Sequence, residues 1–390
     1  MTHRPALIAL LGALALALAG AQGAFAGHGH GNGHGQGNGH GQGHGHGHGG
    51  KAVFVQTNEP SGNQIAVYDR GSDGSLTRVA TYATGGLGEY ASPGTESDTL
   101  ASQGSLVLTR GHRLLIAVNA GSDTISVFRV HGTTLQLQQV LPSGGQFPAS
   151  IAVHHKWVYV LNAGGTGIVQ GFRIHGNALQ TLAGSARSLG LANGDPPDFL
   201  MSPGQVGFTP NGKKLIVTTK TSGSLIDVFL VGHDGLLSAT PVENASATPV
   251  PFAFTFAGGR LVSGEAGTSS VTTYRIQPGG TLADPRSASD GQMALCWIVK
   301  ARGFFFVTNT ASNNISSFRI DSGGQPSLVA AVAATTNPGP IDLATSGPFL
   351  YAQTGTNGTV DEFRISNDGT LVPLGSVDDL PFGIEGIAAT

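Results

Sequence analysis

The stretch FFFVTNTASNNISSFRIDSGG, residues 304–324, contains one unit of a pattern that runs through the chain. An apolar run is followed by a small polar loop, a second run that ends in an aromatic residue, and a Gly-rich turn. The pattern occurs seven times, and its closing aromatics are Tyr68, Phe128, Phe172, Phe229, Tyr274, Phe318 and Phe363. Spacings of 44 to 60 residues between units built only from strands are typical of a β-propeller. The sequence therefore predicts an all-β, seven-bladed β-propeller.

Each unit is predicted to form a four-stranded blade of one ring that covers residues 51–390. A single small sheet cannot bury both of its faces, so neighbouring blades must stack on it. The first unit lacks an innermost strand before Lys51, whereas the C-terminus carries a spare apolar run at residues 383–388. We expect this run to pair beside residues 53–56 and close the ring, because closure removes exposed sheet edges. The links at residues 87–102 and 191–202 are longer than the others and are candidate lids on the ligand-binding face.

The N-terminus has the three parts of a secretory signal peptide. A short basic start is followed by a Leu/Ala-rich run and by the small-residue site Ala24-Phe25-Ala26. We expect cleavage after Ala26, which makes residues 1–26 a signal peptide and the protein secreted or periplasmic. An uncleaved membrane anchor is the alternative, but the apolar run is short for a bilayer span.

Residues 27–50 form a Gly/His-rich tract without an apolar side chain, so we expect it to be disordered. Imidazole is a common metal ligand, and a flexible chain of this kind can wrap Ni²⁺, Cu²⁺ or Zn²⁺. The predicted metal ligands are His28, His30, His34, His40, His44, His46 and His48. A solvated spacer is the alternative interpretation, and no cofactor is expected to be required.

Composition excludes several classes of partner. Charged residues make up 11% of the chain and the net charge is −3, so the composition does not predict a basic surface that would bind nucleic acid. No further stretch is apolar enough to span a membrane, and we expect a monomer. Cys296, the single cysteine, lies in an apolar run and is predicted to be a buried core thiol.

The amino-acid sequence of the repeats resembles that of a known family. The segments that carry the resemblance are SPGQV (202–206), TPNGK (209–213), FVTN (306–309) and NISSFR (314–319). They are similar to the lactonase family of seven-bladed propellers, which includes bacterial 6-phosphogluconolactonase and fungal carboxymuconate cyclase. The resemblance spans about residues 51–390 and implies the propeller fold, whereas one fold can host many activities.

The residues that carry catalysis in this family are replaced here. The family usually has Arg-His on an innermost strand and Asn-Glu after the following strand. The matching positions are Gly204 and Gln205 on the first strand and Thr219 and Lys220 after the second. The separation of sixteen residues between Gly204 and Lys220 equals that of the family's Arg and Glu, so the alignment is firm although the side chains differ.

If catalysis is retained, three residues are the candidates. Lys220 would hold a carboxylate or a developing oxyanion, Glu265 would move a proton, and Gln205 would orient the ligand. Lys220 and Glu265 lie in adjacent repeats and could face one another. A simple ion pair between them is the alternative interpretation.

A second set of polar residues is predicted to bind a ligand at the channel mouth. These residues follow the second strand of a repeat or lie on an innermost strand: Asn58, Asn119, Asn162, Asn309 and Ser150. Asn also suits turns, because its side chain bonds to nearby backbone and tolerates left-handed geometry. Acidic residues in the two long links, such as Asp98 and Asp195, match no defined metal motif and are interpreted as acidic loops.

Three functions remain open from the sequence. The first is a secreted propeller that binds a small molecule or a carbohydrate without catalysis, and the missing family residues favour it. The second is a lactone hydrolase or muconate-type cycloisomerase with a rebuilt active site. The third is a metal-sequestering protein in which the Gly/His tract acts and the propeller is a scaffold.

Overall fold

The computed structural model of the protein describes residues 51–91 and 97–390. In these residues the strands form seven antiparallel sheets, which are the blades of a propeller. The strands of blades 1 to 3 are β1 (Ala52–Gln56), β2 (Gln64–Arg70), β3 (Leu76–Ala83), β4 (Leu106–Leu108), β5 (Leu114–Asn119), β6 (Thr124–His131), β7 (Thr134–Pro142), β8 (Pro148–His154), β9 (Trp157–Asn162), β10 (Ile168–His175), β11 (Ala178–Thr181) and β12 (Arg187–Ser188). The strands of blades 4 to 7 are β13 (Gln205–Phe208), β14 (Lys214–Thr218), β15 (Leu225–Leu230), β16 (Val242–Ala245), β17 (Pro251–Ala257), β18 (Arg260–Glu265), β19 (Ser270–Ile276), β20 (Leu282–Ser289), β21 (Leu295–Ala301), β22 (Phe304–Asn309), β23 (Asn314–Ile320), β24 (Pro326–Thr335), β25 (Pro340–Ser346), β26 (Phe349–Thr354), β27 (Thr359–Ile365) and β28 (Leu371–Val377). The last strand, β29 (Ile387–Ala389), belongs to blade 1.

The predicted seven-bladed fold is confirmed. Each blade has four strands in the order innermost to outermost, and blade 3 carries the short extra strand β12 beside β10. Two single 3-10 turns, Ala120–Ser122 and Thr310–Ser312, follow the second strands of blades 2 and 6.

Burial follows the position of a strand in its blade. Every residue of β5 and β22 is buried, because the second strand is covered on both faces by neighbouring blades. The outermost strand β3 alternates between buried or half-buried and exposed residues, because its outer face meets solvent. The seven closing aromatics are at most 2% exposed, so they form the repeated core of the ring. Burial of this kind contributes about 1.5–3 kcal/mol for each large apolar side chain.

The turns between the third and outermost strands join adjacent blades. Gly74 has a φ of +100°, and a Cβ there would lie 2.3 Å from the Phe349 ring of blade 7. Its carbonyl accepts a hydrogen bond of 2.8 Å from the Tyr351 hydroxyl. Gly235 packs against the Trp157 indole of blade 3 in the same way. Glycine is required at these turns because the backbone conformation and the close approach both exclude a side chain.

The C-terminus closes the ring as predicted. Strand β29 pairs antiparallel with β1, with Val53 opposite Ala389 and Val55 opposite Ile387. The strand is shorter than the expected run at residues 383–388. Two further backbone hydrogen bonds join Gln56 to Glu385 and Gly386, and the Glu385 side chain is fully buried.

Strand direction defines two faces of the ring. The links between blades and the loops after the second strands lie on one face, here called the entrance face. The turns after the innermost and third strands lie on the other, here called the base face.

The predicted signal peptide (residues 1–26) and the Gly/His tract (residues 27–50), with its seven histidine ligands, lie outside the described residues. Within residues 51–91 and 97–390, no helix is long and apolar enough to cross a membrane.

Candidate functional site

The link between blades 1 and 2 turns into the central channel. Residues 97–104, here called the channel segment, are buried from Ser97 to Ser102. The Ser102 hydroxyl donates to the Ala149 carbonyl of blade 3 at 2.7 Å, and the Gln103 amide donates to the Gly204 carbonyl of blade 4 at 3.0 Å. The sequence identified this link as a candidate lid, and the structure places its C-terminal part between the innermost strands.

Blade 6 contacts the channel segment from its own side of the ring. The Trp297 indole donates to the Ser102 carbonyl at 2.9 Å. The Gln103 side chain forms a pair of hydrogen bonds with the backbone of Ile298, one donated at 3.1 Å and one accepted at 3.0 Å. Because blades 3, 4 and 6 all bond to it, the channel segment occupies the channel centre.

Lys220 is buried against the channel segment. Its Nζ donates to the carbonyls of Ala101 at 2.8 Å and Phe199 at 2.6 Å and to the Ser202 hydroxyl at 2.8 Å. Nζ also lies 5.1 Å from the centre of the Phe252 ring, a distance that permits a cation–π interaction. Burial lowers the pKa of Lys220, and nearby carboxylates, Asp98 first among them, oppose that shift.

Two buried carboxyl groups lie beside the Lys220 ammonium. A hydrogen bond from the carboxyl group of Glu385, which precedes β29, opposes the rise that burial causes in the pKa of Asp98 of the channel segment, so Glu385 is the protonated partner of the pair. Glu385 also accepts from the Leu100 amide and, at 3.2 Å, from the Ser102 amide. Burial raises the pKa of both carboxyl groups, and mutual repulsion adds to the rise at Glu385. The hydrogen bonds of Glu385 therefore attach the C-terminal residues to the channel segment.

Glu265 lies in a separate network formed by blade 5 and the link that precedes it. Four hydroxyl groups donate to its carboxylate, those of Ser246 and Thr272 at 2.6 Å each and those of Thr248 and Tyr274. Burial raises the pKa of Glu265, and the four hydrogen bonds oppose that rise.

The strand registers explain why Lys220 and Glu265 have different surroundings. Leu261 pairs with the closing aromatic Tyr274, and Glu265 lies four residues after Leu261. Leu215 pairs with Phe229, so the equivalent position in blade 4 is Thr219 and not Lys220.

Asn58 and Lys220 share a special backbone position. Each lies one residue beyond the position equivalent to Glu265, with φ of 51° and 49°, in the left-handed region. The Asn58 side chain donates at 2.8 Å to Thr99 of the channel segment, as Lys220 does to Ala101. The two residues therefore hold the channel segment from blades 1 and 4.

The other candidate ligand residues bond within the protein. Asn119 donates to Thr124 and Ser126 of its own blade, and Asn309 donates to Asn314 and Ser316 in the same pattern. Asn162 donates to the Ile168 carbonyl at 3.1 Å. These hydrogen bonds fix the loops that follow the second strands.

The two candidates on innermost strands connect neighbouring elements. The Ser150 hydroxyl donates at 2.6 Å to the Gln103 carbonyl and accepts at 3.2 Å from the Val206 amide. The Gln205 side-chain oxygen accepts at 2.6 Å from the Phe254 amide of blade 5. As ligand contacts, Ser150 and Gln205 remain predictions.

Sequence reasoning did not identify Glu385 or the role of Asp98. Glu385 is the one charged residue in the apolar run 383–388, and a charge in a predicted innermost strand was the available signal. Cys296, predicted to be a core thiol, is buried, and burial raises the pKa of its thiol. In residues 51–91 and 97–390, no group of three or more His, Cys, Asp or Glu side chains is arranged to hold a metal ion.

Comparison with known proteins agrees with this architecture. A family model described as lactonase, 7-bladed beta-propeller matches residues 34–180. No curated protein matches the sequence at a significant level.

Similar solved structures share the ring. A candidate 6-phosphogluconolactonase from Bacteroides fragilis is 15% identical with a TM-score of 0.69, over 88% of this chain and 98% of that one. One from Bacteroides uniformis is 15% identical with a TM-score of 0.67, over 87% and 99%. A periplasmic gluconolactonase from Pseudomonas aeruginosa is 16% identical with a TM-score of 0.64, over 87% and 98%. Identities this low establish the fold alone. With the family model, they support the resemblance found in the repeats: the chain is a seven-bladed β-propeller that is similar to the lactonase family.

Proposed function

We propose that this protein is an exported propeller that binds a small molecule or a carbohydrate on its entrance face without turning it over. The observation that carries the proposal is the enclosure of Lys220 by the channel segment. A lactone hydrolase needs an oxyanion-stabilising group and a proton-transferring group in contact with the substrate. Lys220 and Glu265, the candidates for these roles, are both buried and bonded to protein groups.

The entrance face offers apolar contacts for a ligand. Four links between blades each expose a large apolar side chain by 40% or more: Leu87, Met201, Met293 and Phe382. These residues lie beside polar loop backbone, and such a mixture suits a ligand with both apolar and hydroxyl-bearing faces, as sugars have.

Turnover assays test the absence of catalysis. We expect no detectable hydrolysis of sugar lactones, including 6-phosphogluconolactone, and no conversion of carboxymuconate. Clear turnover of any of these substrates by the purified protein refutes the proposal. A Lys220→Ala, Glu265→Gln double variant then decides whether the candidate residues carry that turnover.

A binding screen tests the location of the ligand site. Sugars, sugar acids and sugar lactones are screened by thermal shift, and hits are measured by calorimetry. We expect Met293→Ser and Phe382→Ser to weaken binding about tenfold or more, because each removes an exposed apolar contact. Val79→Ser is the matched control, since Val79 is exposed on the outermost strand β3. Equal affinities in all three variants contradict an entrance-face site.

A rebuilt lactone hydrolase is the second candidate, and the Asp98–Glu385 carboxyl pair beside Lys220 favours it. Two carboxyl groups that share one proton beside an ammonium group can perform acid–base chemistry. It would reach a substrate only if the channel segment left the channel. The turnover assays above distinguish this candidate from the first.

Export and metal binding belong to the same proposal. The signal-peptide features of residues 1–26 support a secreted or periplasmic location, and the seven histidines of residues 27–50 support chelation of Ni²⁺, Cu²⁺ or Zn²⁺.

A further inference from the structure

The base face carries a groove between blades 3 and 4. Its volume is about 730 Å³, and its walls are the turns after the innermost strands of both blades and the turn between β15 and β16. The lining includes three lysines and three histidines: Lys156, Lys213, Lys214, His154, His155 and His233. The groove lies on the face opposite the entrance site and shares no residue with it.

The positive charge of the groove is concentrated and uncompensated. The chain has only six lysines and a net charge of −3, yet half of the lysines line this one groove. All three salt bridges in the described part of the chain involve arginines elsewhere. Asp234, the single acidic residue of these turns, does not line the groove, and its carboxylate accepts the Leu236 amide at 3.0 Å. Among residues 51–91 and 97–390, these lysines therefore form no salt bridge with a carboxylate.

The floor of the groove is closely packed. The His154 ring packs against Gly212, where a Cβ would be 2.3 Å from the imidazole, and its centre is 5.6 Å from that of Phe208. The Asn211 side-chain oxygen accepts the Lys213 amide at 3.1 Å and so fixes the turn that carries two of the lysines. Burial, followed by the positive neighbours His155 and Arg110, lowers the pKa of His154, which favours a neutral ring that can donate one hydrogen bond.

From this arrangement we infer that the groove is a binding site for a small ligand that bears a multiply charged oxyanion, such as a phosphate ester. Three lysines from two blades line one cavity, and three histidines line the same walls. Charge-assisted hydrogen bonds from such groups are the usual means of holding phosphate or carboxylate oxygens. The exposed Leu230 side chain and Pro278 add an apolar wall for the body of the ligand.

The test uses inorganic pyrophosphate and citrate as probes, measured by calorimetry at low and at moderate ionic strength. We expect saturable binding of at least one probe at a single site, weaker in added salt because exposed charges are screened. Lys156→Gln, Lys213→Gln and Lys214→Gln combined should lower the affinity at least tenfold. The control variant combines Lys51→Gln, Lys300→Gln and Arg302→Gln. It lowers the net charge by the same amount as the groove variant, but at exposed positions outside the groove.

Each outcome decides the inference. Binding lost in the groove variant and kept in the control supports it. No saturable binding of either probe, or equal weakening in both variants, overturns it. Thermal melting of both variants checks that the ring is intact, which we expect because none of the six substituted residues is buried. A separate arm uses vesicles of phosphatidylcholine with and without phosphatidic acid. Lysine-dependent binding to the phosphatidic acid vesicles assigns the oxyanion to a lipid headgroup. Binding of pyrophosphate without binding to these vesicles assigns the oxyanion to a soluble ligand.

Discussion

Replacing Lys220 with methionine tests whether this buried lysine holds the channel segment in place. Methionine keeps most of the volume of the side chain and removes the ammonium. The variant loses three donated hydrogen bonds, to the Ala101 carbonyl, the Phe199 carbonyl and the Ser202 hydroxyl. It also removes the positive charge beside Asp98 and Glu385.

The magnitude follows from burial. Removing one partner from a buried hydrogen bond costs about 1–3 kcal/mol, and removing one member of a buried charge cluster costs about 3–5 kcal/mol. These contributions overlap because they involve the same atom, so we expect the free energy of unfolding to fall by about 3–5 kcal/mol. A lysine placed for ligand contact and solvated at the channel mouth would cost well under about 1 kcal/mol.

Urea unfolding followed by tryptophan fluorescence measures the loss. Trp297 reports directly, because its indole bonds to Ser102 of the channel segment. Lys300→Met is the matched control at an exposed lysine and should change stability by less than about 0.5 kcal/mol. Adding Asp98→Asn to the Lys220→Met variant should recover part of the loss, since it removes a buried carboxylate that has lost its cation. A loss below about 1 kcal/mol in Lys220→Met, or no recovery in the double variant, refutes the structural role.

Three further predictions concern other parts of the chain. Deleting residues 383–390 should lower the free energy of unfolding by several kcal/mol, because it removes β29 and the Glu385 anchor; urea midpoints equal to those of the full chain would contradict ring closure as a source of stability. Asp227→Asn should stabilise the protein at pH 8 and have little effect at pH 4. Burial raises the pKa of Asp227 from 3.8 to about 7, so the protonated carboxyl stabilises the folded state below the unfolded pKa. This stabilisation, up to about 4 kcal/mol, is lost as pH rises through the folded pKa. Thermal melts of both proteins across this pH range measure the loss, and parallel pH profiles would rule it out. Deleting residues 27–50 should abolish most binding of Ni²⁺, Cu²⁺ and Zn²⁺ in calorimetry and leave the melting temperature in metal-free buffer nearly unchanged, because the tract has no apolar residue to pack; a large drop in that temperature would show that the tract docks on the propeller.

The repeat itself could be predicted from the sequence because its signals are local. A closing aromatic such as Phe318 and a Gly-Gly or Asp-Gly turn after it are separated by only a few residues in every unit. Blade number and ring closure follow by counting, since each sheet must be covered by the next and a spare C-terminal run must pair with the first blade. The same local reasoning placed Ser150, Asn58 and Lys220 near the channel, where the structure finds them in contact with the channel segment.

Only the tertiary structure decided what these side chains contact. A shift of one residue after the second strand separates Lys220 from Glu265, and local sequence patterns do not report such a shift. The path of the long link into the channel depends on its packing against blades 3, 4 and 6 at once. Asp98 and Glu385 meet across 287 positions of sequence, and the lysines of the groove come from turns of two different blades. Periodicity determines the architecture of this chain because each repeat must bury the same face, whereas its sites arise where insertions and exposed charges break the repeat, and their contacts form only when the ring closes.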